Sequence, residues 1–148
     1  MRFLIDANIL LYAVNSSDPH HRAAKQFVQG AVHGNAPWCL TWPVAYEFLR
    51  VSTHHRVFPR PLRVADAQAY LDLLLDSPTL TMLSPTPRHN EVLKQTLAEI
   101  PQPAGNLFHD LATAVTLREH GVPEIATADT DFLQFKFLTI SNPLLGNR

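Results

Sequence analysis

Arg2-Phe3-Leu4-Ile5-Asp6-Ala7-Asn8-Ile9-Leu10-Leu11-Tyr12-Ala13-Val14 decides the fold. Arg2 to Ile5 reads as a short strand, Asp6 breaks the apolar run, and Ile9 to Val14 reads as a short, mostly buried helix. A strand that ends on an acid and passes straight into a helix opens an α/β architecture. Working outward, the same alternation recurs. Pro19 opens a second helix with Ala23, Phe27, Val28 and Ala31 on one face, and Gly34, Asn35 and Pro37 end it. Trp38 to Thr41 is a second strand. Pro43 suits the first turn of the next helix, which carries Ala45, Phe48, Leu49 and Val51 towards His54, with Glu47 about one turn inside.

Arg56 to Arg63 is a proline-broken connection, followed by a helix from about Val64 to Leu75, a strand from Leu80 to Leu83 and a helix from Arg88 to Glu99. Pro101, Pro103 and Gly105 make a rigid loop before Asn106, a reasonable N-cap for a helix that stops at Gly121. Ile125 to Ala128 is a fourth strand and Leu138 to Ile140 a fifth. The expectation is a central parallel sheet of four to five strands flanked by helices, with residues 1–148 forming a single domain.

Composition fits this. The chain has 148 residues, enough to bury a real core, and is 46% hydrophobic and 17% charged. Its one cysteine, Cys39, excludes an internal disulfide and a multi-cysteine zinc site. Met1-Arg2 leads into only three apolar residues, which is no secretory leader, and no run is long enough to span a bilayer. A cytoplasmic protein without a membrane association is expected.

Asp6 ends the first strand, Asp129 closes the fourth, and Glu47 and Asp110 lie early in helical segments. If the two strands are neighbours, their carboxyl ends share one edge, where open α/β sheets place their sites. Carboxylates gathered there repel one another unless a cation neutralises them, and Mg²⁺ or Mn²⁺ suits all-oxygen ligands. That chemistry points to phosphodiesters. The net charge of −1 hides a division: without these four acids, nine Asp and Glu stand against twelve Lys and Arg, or +3. Singly, each acid has an ordinary explanation as a turn residue, a helix cap or a solvated helix position. Asp131, two residues after Asp129, reads better as a cap for the Phe132-Leu133 turn than as a metal ligand.

The local sequences around the acids resemble the PIN-domain ribonucleases, particularly the toxin halves of VapBC-type toxin–antitoxin pairs. Asp6-Ala7-Asn8-Ile9-Leu10-Leu11-Tyr12-Ala13 looks like the opening motif, and Trp42-Pro43-Val44-Ala45-Tyr46-Glu47-Phe48-Leu49-Arg50-Val51 like the second block. His109-Asp110-Leu111-Ala112-Thr113-Ala114 is similar to the third, and Thr127-Ala128-Asp129-Thr130-Asp131-Phe132 to the fourth. The resemblance implies a PIN-like fold and a Mg²⁺- or Mn²⁺-dependent endoribonuclease, in which a metal-activated water attacks the phosphodiester. Asp6 and Asp110 would be the principal metal ligands, and Glu47 and Asp129 would complete the cluster. Asn8 and Thr127 would orient the carboxylates or water. It also implies a homodimer, and a cognate antitoxin whose C-terminal segment lies across the acidic groove.

Two other functions fit less well. A Mg²⁺-dependent phosphatase or phosphotransfer domain needs a second acid two residues after its nucleophile, where this chain has Asn8, or a late lysine beside the site. A catalytically inactive RNA- or protein-binding module has no physical need for four mutually repelling acids.

Elsewhere, Arg56, Arg60 and Arg63, with Phe58 among them, form a basic stretch suited to phosphate and base contacts in single-stranded RNA. Trp38 and Trp42 read as core. The eight histidines read as surface residues, since neighbouring His109 and Asp110 point about 100° apart on a helix and cannot share an ion.

Overall fold

A computed structural model describes residues 2–102 and 107–145. Strand β1 (Phe3–Ile5) is too short to hold itself, and its stability comes from burial, with Leu4 and Ile5 wholly enclosed. Full burial of such a side chain contributes about 1.5–3 kcal/mol relative to exposure, and Ile5→Ala costs about 2–5 kcal/mol. Helix α1 (Ala7–Val14) follows immediately, and its Ala7, Ile9, Leu10 and Ala13 face inwards. Helix α2 (His21–His33), strand β2 (Trp38–Thr41), helix α3 (Trp42–Ser52), helix α4 (Val64–Leu75) and strand β3 (Leu80–Leu83) complete the first half. Helices α5 (His89–Ala98) and α6 (Leu107–Glu119), strand β4 (Glu124–Ala126), a 3-10 turn (Thr130–Gln134), strand β5 (Thr139–Ser141) and a 3-10 turn (Pro143–Leu145) form the second.

All five strands are parallel, in the order β3-β2-β1-β4-β5. Phe3 pairs with Trp38 on one side and Glu124 on the other, so β1 is central. The chain steps outward from β1 to β3, then returns through α5 and α6 to β4 on the other side of β1. Right-handed crossovers in opposite directions put helices on opposite faces. The packing agrees: α1 touches α2 and α3, α3 touches α4, and α5 packs on α6. The step direction reverses between β1 and β4, and their carboxyl ends flank the crevice where open sheets bind ligands.

Several expectations need correction. Helix α2 starts two residues after Pro19, because the Asp18 carboxylate accepts from the His20 N–H and holds a turn there. Helix α3 stops at Ser52 rather than His54, where the Thr53 hydroxyl bonds back to the Leu49 carbonyl. Strand β4 ends at Ala126, not Ala128, since the Ala128 N–H goes to the Asn8 side chain instead of a ladder. Strand β5 starts at Thr139 and includes Ser141. Trp38 is core, but Trp42, in the first turn of α3, is 44% exposed. Phe58 is buried, so it cannot offer its face to a base. The expected Asn106 cap and the Pro103–Gly105 loop lie outside the described residues. Gly121 has φ +65°, where a side chain would be strained, and lets the Val122 N–H reach the Leu117 carbonyl as α6 ends.

Candidate metal centre

Asp6 continues the sheet and caps a helix at once. Its N–H bonds the Ala126 carbonyl at 3.0 Å, extending the β1–β4 ladder, while its Oδ1 accepts from the Ala7 N–H at 2.8 Å. Oδ2 accepts from the Thr127 hydroxyl at 2.8 Å and from Asn8 Nδ2 at 3.3 Å. Asn8 Nδ2 also donates to Thr127 Oγ1 at 2.9 Å, and Thr127 Oγ1 accepts from the Asp129 N–H at 3.0 Å. Asn8 and Thr127 thus tie the loop after β1 to the loop after β4 and fix the Asp6 carboxylate. Asp129 caps the 3-10 turn by accepting from the Asp131 N–H at 2.9 Å.

Helices bring in the remaining groups. Asp110 lies in the first turn of α6, and Glu47 in the middle of α3. A cavity of about 130 Å³ is lined by Asp6, Asn8, Leu11, Glu47, His109, Asp110 and Asp129. A second cavity of about 200 Å³ shares Asp6, Glu47, His109 and Asp110 with it, and opens between Pro43 and Val44 of α3 and Phe108 of α6. His109 Nε2 lies 3.3 Å from Glu47 Oε2, linking α6 to α3 across the space the two cavities share. A larger cleft, about 320 Å³ between α2 and α4, is lined by Val28, Val32, Leu73 and Leu74 with a single acid, Asp76. Size is the poorer guide here, because that cleft gathers no cluster of acids.

The electrostatics are those of crowded acids. Burial lifts the Asp6 pKa from 3.8 to about 6, with Glu47 and Asp129 adding repulsion and the bonds from Thr127 and Ala7 opposing it. Burial, then the charges of Asp129 and Asp6, lift Asp110 to about 7, with His109 opposing and Asp131 adding the least. Asp110 Oδ2 is buried and has no hydrogen-bond partner. One carboxylate oxygen each from Asp110, Asp129 and Asp131 lies within 4.8 Å of the others. An all-carboxylate donor set with an orphaned buried oxygen fits a hard divalent cation.

The four acids read from the sequence therefore border one shared space, with Asn8 and Thr127 bonded to Asp6. Asp131 corrects the reading made of it: Asp129 supplies the cap, and the Asp131 carboxylate stands with Asp110 and Asp129. His109 was missed. The 100° separation on the helix turns it away from Asp110 and towards Glu47. Other histidines also have specific partners, since His21 Nδ1 meets the Tyr12 carbonyl, His120 Nε2 meets the Ser84 carbonyl and His89 meets Glu119. Arg56, Arg60 and Arg63 are exposed and line neither acid cavity, and Arg63 is paired with Asp66 at 3.0 Å.

Residues 3–138 match the family described as PIN domain. Ribonuclease VapC33 of Mycobacterium tuberculosis is 38% identical over 142 residues, spanning 94% of this chain and 96% of that protein. Ribonuclease VapC37 of the same organism is 32% identical, spanning 95% and 96%. Among solved structures, VapBC2 from Rickettsia felis bound to a promoter DNA fragment superposes with a TM-score of 0.69 at 18% identity, covering 96% of this chain and 98% of that one. The sarcin-ricin loop cleaving toxin VapC20 of M. tuberculosis superposes at 0.64 with 18% identity, covering 88% and 92%. At these identities the structural matches speak to the fold.

Proposed function

The chain belongs to the PIN-domain family, and we propose on that premise that it is an endoribonuclease, the toxin of a VapBC-type toxin–antitoxin pair. The observation that carries the reading is the buried, unpartnered Asp110 Oδ2 among the carboxylates of Asp129 and Asp131, in a cavity shared with Asp6 and Glu47. Asp110, Asp129 and Asp131 would hold Mg²⁺ or Mn²⁺, with Asp6 and Glu47 as further ligands or partners of bound water. When bound, such a cation offsets charge on the phosphoryl oxygens and makes nearby water more acidic.

The chain's own groups do the positioning. Thr127, Asn8 and the Ala7 N–H hold the Asp6 carboxylate in one orientation, so it costs little reorganisation during the reaction. His109 holds Glu47 at the cavity wall. Asn8 stands where a phosphatase would need an acid, and is already committed to Asp6, Thr127 and Ala128. That weighs against phosphotransfer chemistry.

The relatives' names and the VapBC structures support an antitoxin protein as the partner, and family membership supports a homodimer acting on RNA in the cytoplasm. No described helix is long and apolar enough to cross a membrane. Arg56 and Arg60 remain candidates for long-range attraction of RNA, and Arg63 is a weaker one because Asp66 neutralises it. The test is cleavage of RNA by the purified chain. It should require Mg²⁺ or Mn²⁺, stop in EDTA, and leave phosphate monoesters intact. Metal-independent cleavage, or hydrolysis of monoesters in place of RNA, overturns the reading.

A further inference from the structure

The surface beside the acids is aromatic. Trp42, Tyr46 and Arg50 stand at i, i+4 and i+8 on α3, which puts them in one row along the helix, and all three are exposed. The Trp42 and Tyr46 rings lie 6.5 Å apart. The adjacent row of α3, Pro43 and Glu47, lines the acid cavity. On the opposite wall Phe108 lines the same cavity and is 73% exposed. Arg50 makes no ion pair among the described residues. Three large exposed rings thus stand on the two helices that wall the acid cavity, Phe108 in its lining and Trp42 and Tyr46 one row over on α3, which marks an interaction surface rather than scattered apolar positions.

Resting on the ribonuclease reading, the occupant follows from charge. A cation held by the acids would draw in the scissile phosphate but would not grip the nucleotides on either side of it, so their affinity has to come from groups outside the cavity. A strand whose phosphate reaches those acids lays its adjoining nucleotides across α3 or α6 at the mouth. Exposed rings with a free guanidinium one turn on are the chemistry that holds unpaired nucleotides: bases stack on rings, and the cation takes a phosphate. A duplex hides its base faces and cannot use them. We propose that Trp42, Tyr46 and Phe108 form a stacking platform for the unpaired nucleotides flanking the scissile phosphate, with Arg50 on the backbone. Stacking of this kind tolerates any base, so the platform selects single-stranded or looped RNA over duplex rather than one sequence.

Tryptophan emission tests it directly. Of the two tryptophans, Trp38 is wholly buried and Trp42 exposed, so quenching reports Trp42. In the Asp6→Asn chain, used to prevent cleavage, oligouridylate with Mg²⁺ should quench emission saturably and a blunt RNA duplex of equal length should not. Tyr46→Ala with Phe108→Ala should weaken that binding roughly tenfold, and Arg50→Ala should flatten its salt dependence. With the acids intact, the same aromatic double variant should raise KM by a similar factor and leave kcat near its original value. Equal quenching by duplex, or an unchanged KM in the double variant, overturns the platform. So does a double variant that loses only self-association, which would assign the row to a second copy of the chain. Absence of any metal-dependent RNA cleavage by the unaltered chain would instead defeat the ribonuclease reading itself.

Discussion

Asp110 in the first turn of α6 and Glu119 at its last residue are both carboxylates with buried side chains, yet the chain treats them in opposite ways. Burial raises both. Glu119 is then met by the Thr86 hydroxyl, by His89 Nδ1 and by the Thr86 N–H at 2.8 Å, and its pKa ends below the ordinary 4.5. Asp110 receives three neighbouring acids and no donor on Oδ2, and ends at about 7. The helix dipole predicts the reverse, since it favours an anion at the N-terminus by about 0.3–1 kcal/mol. Local partners decide. One end of α6 is complete in itself and fastens α6 to the start of α5. The other is left with a deficit of donors that a cation would fill, a pattern that clusters at functional sites.

The largest expected effect is on activity. Asp110→Asn should abolish metal-dependent RNA cleavage almost completely, while Glu119→Gln, at the other end of the helix, should leave specific activity of the folded protein near normal. Comparable losses from both would erase the distinction. Next is Thr127→Val, which removes the hydroxyl bonded to Asp6, Asn8 and Asp129 and should lower activity roughly 10–100-fold. Full activity in that variant would make the Asp6 network incidental. In stability the order inverts: Glu119→Ala leaves the half-buried Thr86 and His89 donors without their acceptor and should cost about 1–3 kcal/mol by urea denaturation.

The pH dependence sharpens the contrast. In the absence of metal, folded Asp6 and Asp110 keep protons that the unfolded chain has already lost above about 3.8, up to about 6 and about 7 respectively. The native state therefore binds more protons across that window, and stability should fall as pH rises through it and then level off. Glu119 works the other way, contributing stability above its unfolded pKa of about 4.5 that is lost as pH falls. Metal-free stability should peak on the acid side of neutrality. Asp110→Asn should shallow the neutral limb and Glu119→Gln the acid limb. Melting curves from pH 3 to 8 in a chelator that stays effective at low pH measure both limbs.

Much of this was legible in the chain, and the reasons for the misses are instructive. Strands β2 and β3 and helix α4 lie where composition and punctuation put them, because proline and glycine breaks flank them closely. The order Asp6, Glu47, Asp110, Asp129 anticipated four acids that border one cavity, since each sits where a strand or helix meets the carboxyl edge. The end of β4 was not legible: Thr127 and Ala128 look strand-like, and only the distant Asn8 side chain takes over the bond at Ala128. The cap was placed on Asp131 instead of Asp129 because two acids two residues apart look alike in the chain, and only the fold brings Asp110 up beside them from another helix. Trp42 and Phe58 traded places, exposed for buried, because apolarity alone does not tell which helix face or loop turn meets the core.

The claim that these acids are held in tension for a cation is tested most directly by thermal melting of the unaltered chain and Asp110→Asn at neutral pH, each in EDTA and in Mn²⁺. In EDTA the variant should be the more stable by roughly 0.5–2 kcal/mol, as expected when a functional site is relaxed. Mn²⁺ should raise the melting temperature of the unaltered chain, because it binds only the folded state, and should raise that of the variant far less. A variant that melts at or below the unaltered chain in EDTA, with the same response to Mn²⁺, would contradict the account and make Asp110 a structural residue.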